Sequence, residues 1–281
     1  MNKKIIVTHI FPDIDAITSV WLFKKFDSQF EEAEVKFVPA GTTLDEKTAD
    51  SDPEVIHVDT GLGRFDHHQT DERTCAAELV FNYLKQEKKI SLKYQSAILR
   101  LIEVVKQIDH FENFFWEDSA NDRYDLGLNK IFNNLKMSGQ LNDKQLVEEG
   151  MKLIDAVVFG LRQKIKAEEA IKEGQEFETI WGKTLGLESQ EGKADKLGLK
   201  MGYDLMIRKE PESNFVMIKC QPRDELDLTK AYETLKEKDT KAGWFFHSSK
   251  HIILNGSRHN PKVKPTRLSL DELIEIFKNI K

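Results

Sequence analysis

Three groups of side chains able to hold a cation are spread over the first 110 residues. His9, Asp13 and Asp15 fall within seven residues, directly after the apolar run KIIVT at residues 4–8. Asp59 follows a second β-branched run, Val55-Ile56 and Val58, and Asp66-His67-His68-Gln69 comes seven residues later. Asp109 closes a stripe formed by Leu92, Ala97, Ile98, Leu101, Ile102, Val105 and Ile108, which repeats with helical spacing. Taken singly, Asp13 or Asp15 reads as a helix cap, His9 as a strand-end histidine and His67-His68 as a surface pair. Carboxylates and imidazoles that converge need a positive partner, because unpaired buried charge costs several kcal/mol. A divalent metal meets that need for all of them at once. Mixed His/Asp ligands suit Mn²⁺, with Mg²⁺, Co²⁺ or Zn²⁺ as substitutes.

The elements that must position these residues follow from the pattern around them. Strands are predicted over 4–9, 34–39 and 55–59, and helices over 15–27, 75–87, 91–109, about 124–136 and about 143–172. Pro12 forces an extended approach to the first helix, and Gly61 and Gly63 turn the chain after Asp59. Arg64-Phe65 is expected to extend into a short strand presenting the histidines. Strands alternating with helices predict a parallel α/β sheet wrapped by helices on both faces. Such a sheet gathers the loops after its strands on one edge, where open α/β sheets place their sites.

The order HxxPDxD (His9 to Asp15), VDTG (Val58 to Gly61) and DHH (Asp66 to His68) resembles the DHH phosphoesterase superfamily. That group includes RecJ-type exonucleases, nanoRNA and pAp phosphatases, cyclic-dinucleotide phosphodiesterases and manganese-dependent pyrophosphatases. The short gap before DHH, with Gln69 after it, is similar to the melanocyte-proliferating-gene branch of exonucleases. The resemblance implies an N-terminal DHH domain holding two metal ions. His9 and Asp13 would serve one ion, Asp15 and His67 the other, and Asp59 and Asp109 would bridge. It implies that Asp66 orients an imidazole and that His68 contacts the scissile phosphate or protonates its leaving oxygen. His57 and His110 read as structural.

The remaining sequence bounds the rest. Of the 281 residues, 40% are hydrophobic and 32% charged, as in ordinary globular proteins. No apolar run approaches the roughly 18 residues of a membrane span. The opening MNKKIIVTHI resembles neither a signal nor a transit peptide, so a cytoplasmic protein is expected, without a membrane partner. Cys75 and Cys220 lack metal spacing and read as reduced core residues. The expected division is a catalytic domain with helical extension over 1–172 and a smaller α/β substrate-binding domain over 173–281. That second domain is expected to hold strands 176–182, 202–208, 214–220, 244–248 and 251–255, with helices 227–238 and 270–280.

Charge is uneven. The chain is −6 overall, yet residues 241–267 carry six Lys+Arg and no acid, which leaves 36 Lys+Arg against 48 Asp+Glu, or −12, elsewhere. A basic tract on an acidic protein reads as a local anion site. His247, Lys250, Gly256, Ser257 and Arg258 are its candidate phosphate contacts, and Arg223 a further one. The GHxxAAG form common in the resembling families is absent. Phe111, Phe114, Phe115 and Trp116 are read as core, with base stacking as the alternative. The expected activity is hydrolysis of a phosphorylated substrate, a nucleic-acid end or short oligonucleotide, by an exonuclease. The alternatives are pyrophosphate, pAp or a cyclic dinucleotide as substrate, or a non-catalytic module that binds nucleotide or metal.

Overall fold

The computed structural model describes residues 3–257 and 260–281. The chain divides into two units, Met1–Arg162 and Gln163–Lys281. The division falls inside one long helix, Asp143–Lys172.

The first unit holds a three-stranded parallel sheet in the order β2-β1-β3, formed by β1 (Ile5–His9), β2 (Glu34–Val38) and β3 (Val55–His57). Its helices are α1 (Ile14–Phe26), α2 (Ala76–Gln86), α3 (Leu92–Asp109), α4 (Leu128–Met137) and the first part of α5 (Asp143–Lys172). Helix α1 is buried without interruption from Ile14 to Phe23. It therefore lacks an apolar stripe with a polar back and behaves as a core element. Phe23 meets Phe65 edge to face at 5.1 Å, and Phe65 meets Tyr83 of α2 at 5.3 Å. Phe65 therefore serves the core from a turn, and residues 64–65 form no strand.

The second unit is a mixed six-stranded sheet in the order β4-β5-β6-β7-β9-β8. Its strands are β4 (Gln175–Thr179), β5 (Gly182–Glu188), β6 (Leu205–Lys209), β7 (Val216–Cys220), β8 (Trp244–Phe246) and β9 (Ile252–Asn255), with helices α6 (Ala194–Lys200), α7 (Thr229–Lys238) and α8 (Leu270–Asn279). The single strand expected over 176–182 is a hairpin, β4 and β5. Gly186 has a packing role: a Cβ there would lie 2.9 Å from Ile274 Cδ1 of α8. Strand β6 is buried along its whole length despite Arg208 and Lys209. Arg208 is held by Asp195 at 2.8 Å and the Ser189 carbonyl at 2.9 Å, so its charge is paired where it lies. No described helix is long and apolar enough to cross a membrane.

Candidate metal centre

Strands β1 and β3 run parallel in register, Val7 beside His57. Their carboxyl ends therefore lie together, and each delivers a candidate ligand. His9 ends β1, and Asp59 stands two residues beyond β3, with His9 Nε2 3.2 Å from Asp59 Oδ2. The other ring nitrogen of His9 donates to the Ile10 carbonyl at 2.8 Å. That bond assigns the proton to Nδ1 and leaves the Nε2 lone pair aimed inward, the arrangement of a ligating imidazole.

Asp13 is the N-cap of α1, its Oδ1 accepting from the Asp15 and Ala16 amides at 2.9 and 3.0 Å. The capping and ligand readings are thus compatible, because Oδ2 is not used by the cap. Asp15 is fully buried. Its oxygens accept from the Ala76 and Ala77 amides at 2.7 and 2.9 Å, at the start of α2, where the helix dipole favours negative charge. Asp15 Oδ2 lies 3.9 Å from His67 Nε2. Asp59 itself has a left-handed backbone (φ 56°), a conformation that Asp tolerates better than most residues. Its amide donates to the Phe65 carbonyl at 2.9 Å, closing the loop that brings the histidines back.

Asp66 organises that loop. One oxygen accepts from the Leu62 amide at 2.7 Å, the other from the His68 amide at 3.1 Å and from His68 Nδ1 at 2.6 Å. Asp66 therefore orients His68, whose side chain is 59% exposed and whose Nε2 is not engaged by Asp66. The His67 ring lies 4.4 Å from that of His68, with its Nε2 3.5 Å from both Asp59 Oδ1 and Asp109 Oδ2.

Three sets of potential ligand atoms each lie within 4.8 Å of one another: His9, Asp13 and Asp59; Asp59, His67 and His68; and His67, Asp109 and His110. Asp59 is shared by the first two, as expected of a bridging carboxylate. Asp109 Oδ2 lies with His67 and His110 in the third set. His110 donates Nε2–H to the Thr74 carbonyl at 2.7 Å, and buried His57 accepts the Leu44 amide at 3.1 Å. The backbone groups of Ile10, Thr74, Ala76 and Ala77 that set these ligands have no side-chain signature, and the sequence offered no route to them.

The electrostatics test whether a cation fits. Asp59 Oδ1 and His67 Nε2 are buried without a hydrogen-bond partner, although they face one another. Burial pushes Asp13 up to about 6, with Asp59 adding repulsion. Burial and the charges of Asp59 and Asp13 raise Asp15 further above its ordinary range. Burial would lower His9, but Asp59 overcomes it and lifts the ring to about 9. The close approach of Asp59 likewise lifts His67 to about 9. Asp59, although buried, is drawn down to about 2 by His67 and His9. Four carboxylates that repel one another around two lone pairs are the donor set of a divalent-metal site.

No protein-family model matches the chain, and no curated protein matches it. Among solved structures it is similar to a DHH domain described as belonging to a member of a family of ribosomal proteins. The identity is 12% and the TM-score 0.32, over 98% of this chain and 85% of that one. It is also similar to an exopolyphosphatase-related protein from Bacteroides fragilis, at 14% identity and TM-score 0.26, over 99% and 91%. The functional reading below rests on the residues just described.

The candidate phosphate contacts of the second unit are differently disposed. Arg223 is paired with Asp204 at 3.1 Å, and Lys250 with Asp227 at 2.8 Å. His247 Nδ1 meets Ser249 Oγ at 2.9 Å. Gly256 has φ 78° and lies where a Cβ would strike the Phe215 ring at 2.3 Å, and Ser257 bridges to Asn260. Lys250 and Gly256 flank opposite ends of the four-residue β9, about 13 Å of strand at roughly 3.3 Å per residue. Arg258 lies outside the described residues.

Proposed function

We propose that the first unit is a divalent-metal-dependent phosphoesterase acting on nucleotides or short oligonucleotide ends. The observation that carries this reading is the buried, unpartnered pair Asp59 Oδ1 and His67 Nε2, 3.5 Å apart among Asp13, Asp15 and Asp109. His9, Asp13 and Asp59 would hold one ion, and Asp59, His67, Asp15 and Asp109 a second. Bound there, such ions supply positive charge to a phosphate and acidify a water nucleophile. His68 does the proton work. Asp66 accepts its Nδ1–H and fixes the ring, so Nε2–H is presented to the leaving oxygen. Water adds to phosphorus and releases one proton to solvent, the ester P–O bond breaks, the departing oxygen takes the His68 proton, and solvent returns a proton to the ring.

Charge favours a small substrate. Residues 1–162 carry 20 Lys+Arg against 28 Asp+Glu, net −8, and a long polyanion gains nothing by approaching such a surface. The test is hydrolysis of a panel of dinucleotides, pAp, cyclic dinucleotide and pyrophosphate by chelator-stripped protein reloaded with Mn²⁺, Mg²⁺, Co²⁺ or Zn²⁺. Release of phosphate or mononucleotide that disappears in His67→Ala supports the reading. Metal binding without turnover of any member would instead make the unit a sensing module.

A further inference from the structure

The segment after Asp109 contradicts the core reading of its aromatic residues. Phe111, Phe114 and Phe115 are 69%, 67% and 89% exposed. Phenyl rings left in water are a liability unless they meet something, and this segment follows directly on a candidate ligand. Phe111 is two residues beyond Asp109, and the intervening His110 ring lies 6.2 Å from that of His67.

The segment is also fixed in place. Phe111 has a left-handed backbone (φ 57°), which turns the chain out of α3 into the 3₁₀ turn Glu112–Phe115. Arg73 clasps Glu112 of that turn and Glu103 of α3, and Trp116 Nε1 donates to Gln107 of α3 at 3.0 Å. The polar and indole groups are thus tied back while the phenyls between them are presented, with the Phe111 and Phe114 rings 6.1 Å apart. The charge of the segment excludes a further phosphate: residues 111–126 contain Glu112, Glu117, Asp118, Asp122 and Asp125 against Arg123 alone. An uncharged, flat group that arrives with a phosphate already bound at the metal centre meets both conditions.

We propose that Phe111, Phe114 and Phe115 form a stacking platform for the base of a nucleotide whose phosphate occupies the metal centre. The proposal rests on the phosphoesterase reading and deepens it, naming a base-bearing and nucleotide-sized substrate. Polyphosphate and long nucleic acid, which offer charge where the platform offers rings and carboxylates, are excluded as preferred substrates. Stacking on such rings is sequence-tolerant because every base has a π-face, so the platform selects for a base without choosing among bases.

The experiment compares a thymidine dinucleotide with its counterpart lacking the downstream base, in wild type, Phe114→Ala/Phe115→Ala and Phe114→Trp/Phe115→Trp, with Mn²⁺. Calorimetric affinities for thymidine monophosphate and deoxyribose 5-phosphate are measured alongside. Wild type should favour the base-bearing ligand roughly tenfold or more in both readouts. In the alanine variant that ratio should fall to near one, and in the tryptophan variant it should return. A ratio that stays the same in wild type and alanine variant overturns the platform, even if both substrates are hydrolysed. A dimer of wild type that dissociates in the alanine variant, with the ratio unmoved, assigns the rings to a second copy of the chain and also overturns it. Absence of all hydrolysis with a collapsing affinity ratio keeps the platform and removes the phosphoesterase reading.

Discussion

Asp66 and Asp59 show how one residue type takes different roles from its surroundings. Asp66 binds two amides and one imidazole and has no oxygen aimed at the ligand cluster. Asp59 has an oxygen without a hydrogen bond. Asp66→Asn keeps the shape and removes the charge that holds His68, so kcat should fall roughly 10- to 100-fold with metal content intact. His68→Ala should cost about 10²–10⁴-fold. Wild-type kcat in both would remove His68 from the chemistry. Protons compete with metal at the same residues. His9 and His67 stand near 9 in the metal-free protein, so loading displaces protons. Affinity should rise with pH between about 7 and 9 and weaken further below about 6, where Asp13 is protonated. Stability of the metal-free protein should run the other way. The raised imidazoles contribute most below their ordinary 6.5, and that contribution is lost as pH rises through about 9. Titration calorimetry in two buffers of different ionisation heat, with melts across the same range, reads both slopes. That these groups cluster was legible in the sequence because their types are costly to bring together without a cation. The amides that hold Asp13, Asp15 and Asp66 were not, because backbone donors leave no side-chain signature. The phenyls after Asp109 were misjudged because clustered aromatics usually form core.

Elements set the ligands through their ends. Asp15 fastens the start of α1 to the start of α2 through two amides. Asp15→Ala should leave both without a partner and lower stability by about 2 kcal/mol or more even in chelator. Chemical denaturation with and without EDTA checks this, and a loss seen only with metal present would show that Asp15 is a ligand and nothing more. In the second unit, Gly186→Ala should cost about 1–3 kcal/mol by crowding Ile274. The parallel sheet and its helices were readable from alternating periods. Strand β5 was missed because glycine weakens the strand signal where α8 needs room, a demand set by residues some 90 positions away.

At the scale of the molecule, charge divides with the fold. Residues 1–162 are −8, and residues 163–281, with 22 Lys+Arg against 20 Asp+Glu, are +2. Attraction of long nucleic acid to a basic surface weakens steeply with salt. Here the sign should invert: raising salt from about 50 to 200 mM should leave dinucleotide cleavage nearly unchanged and raise the rate on a 20-nucleotide strand, by screening repulsion. Salt inhibition of the longer substrate would count against a nucleotide-sized preference.

The two amide bonds made by Asp15 have a consequence for descent. Among the described residues, His67 and Asp109 make no such backbone bond, so they are free to drift once a cation no longer matters, whereas Asp13 caps α1. Asp15 answers also to the junction of α1 and α2. In relatives that bind no cation, His67 and Asp109 should vanish early, while Asp13 at the cap and Asp15 at the junction persist.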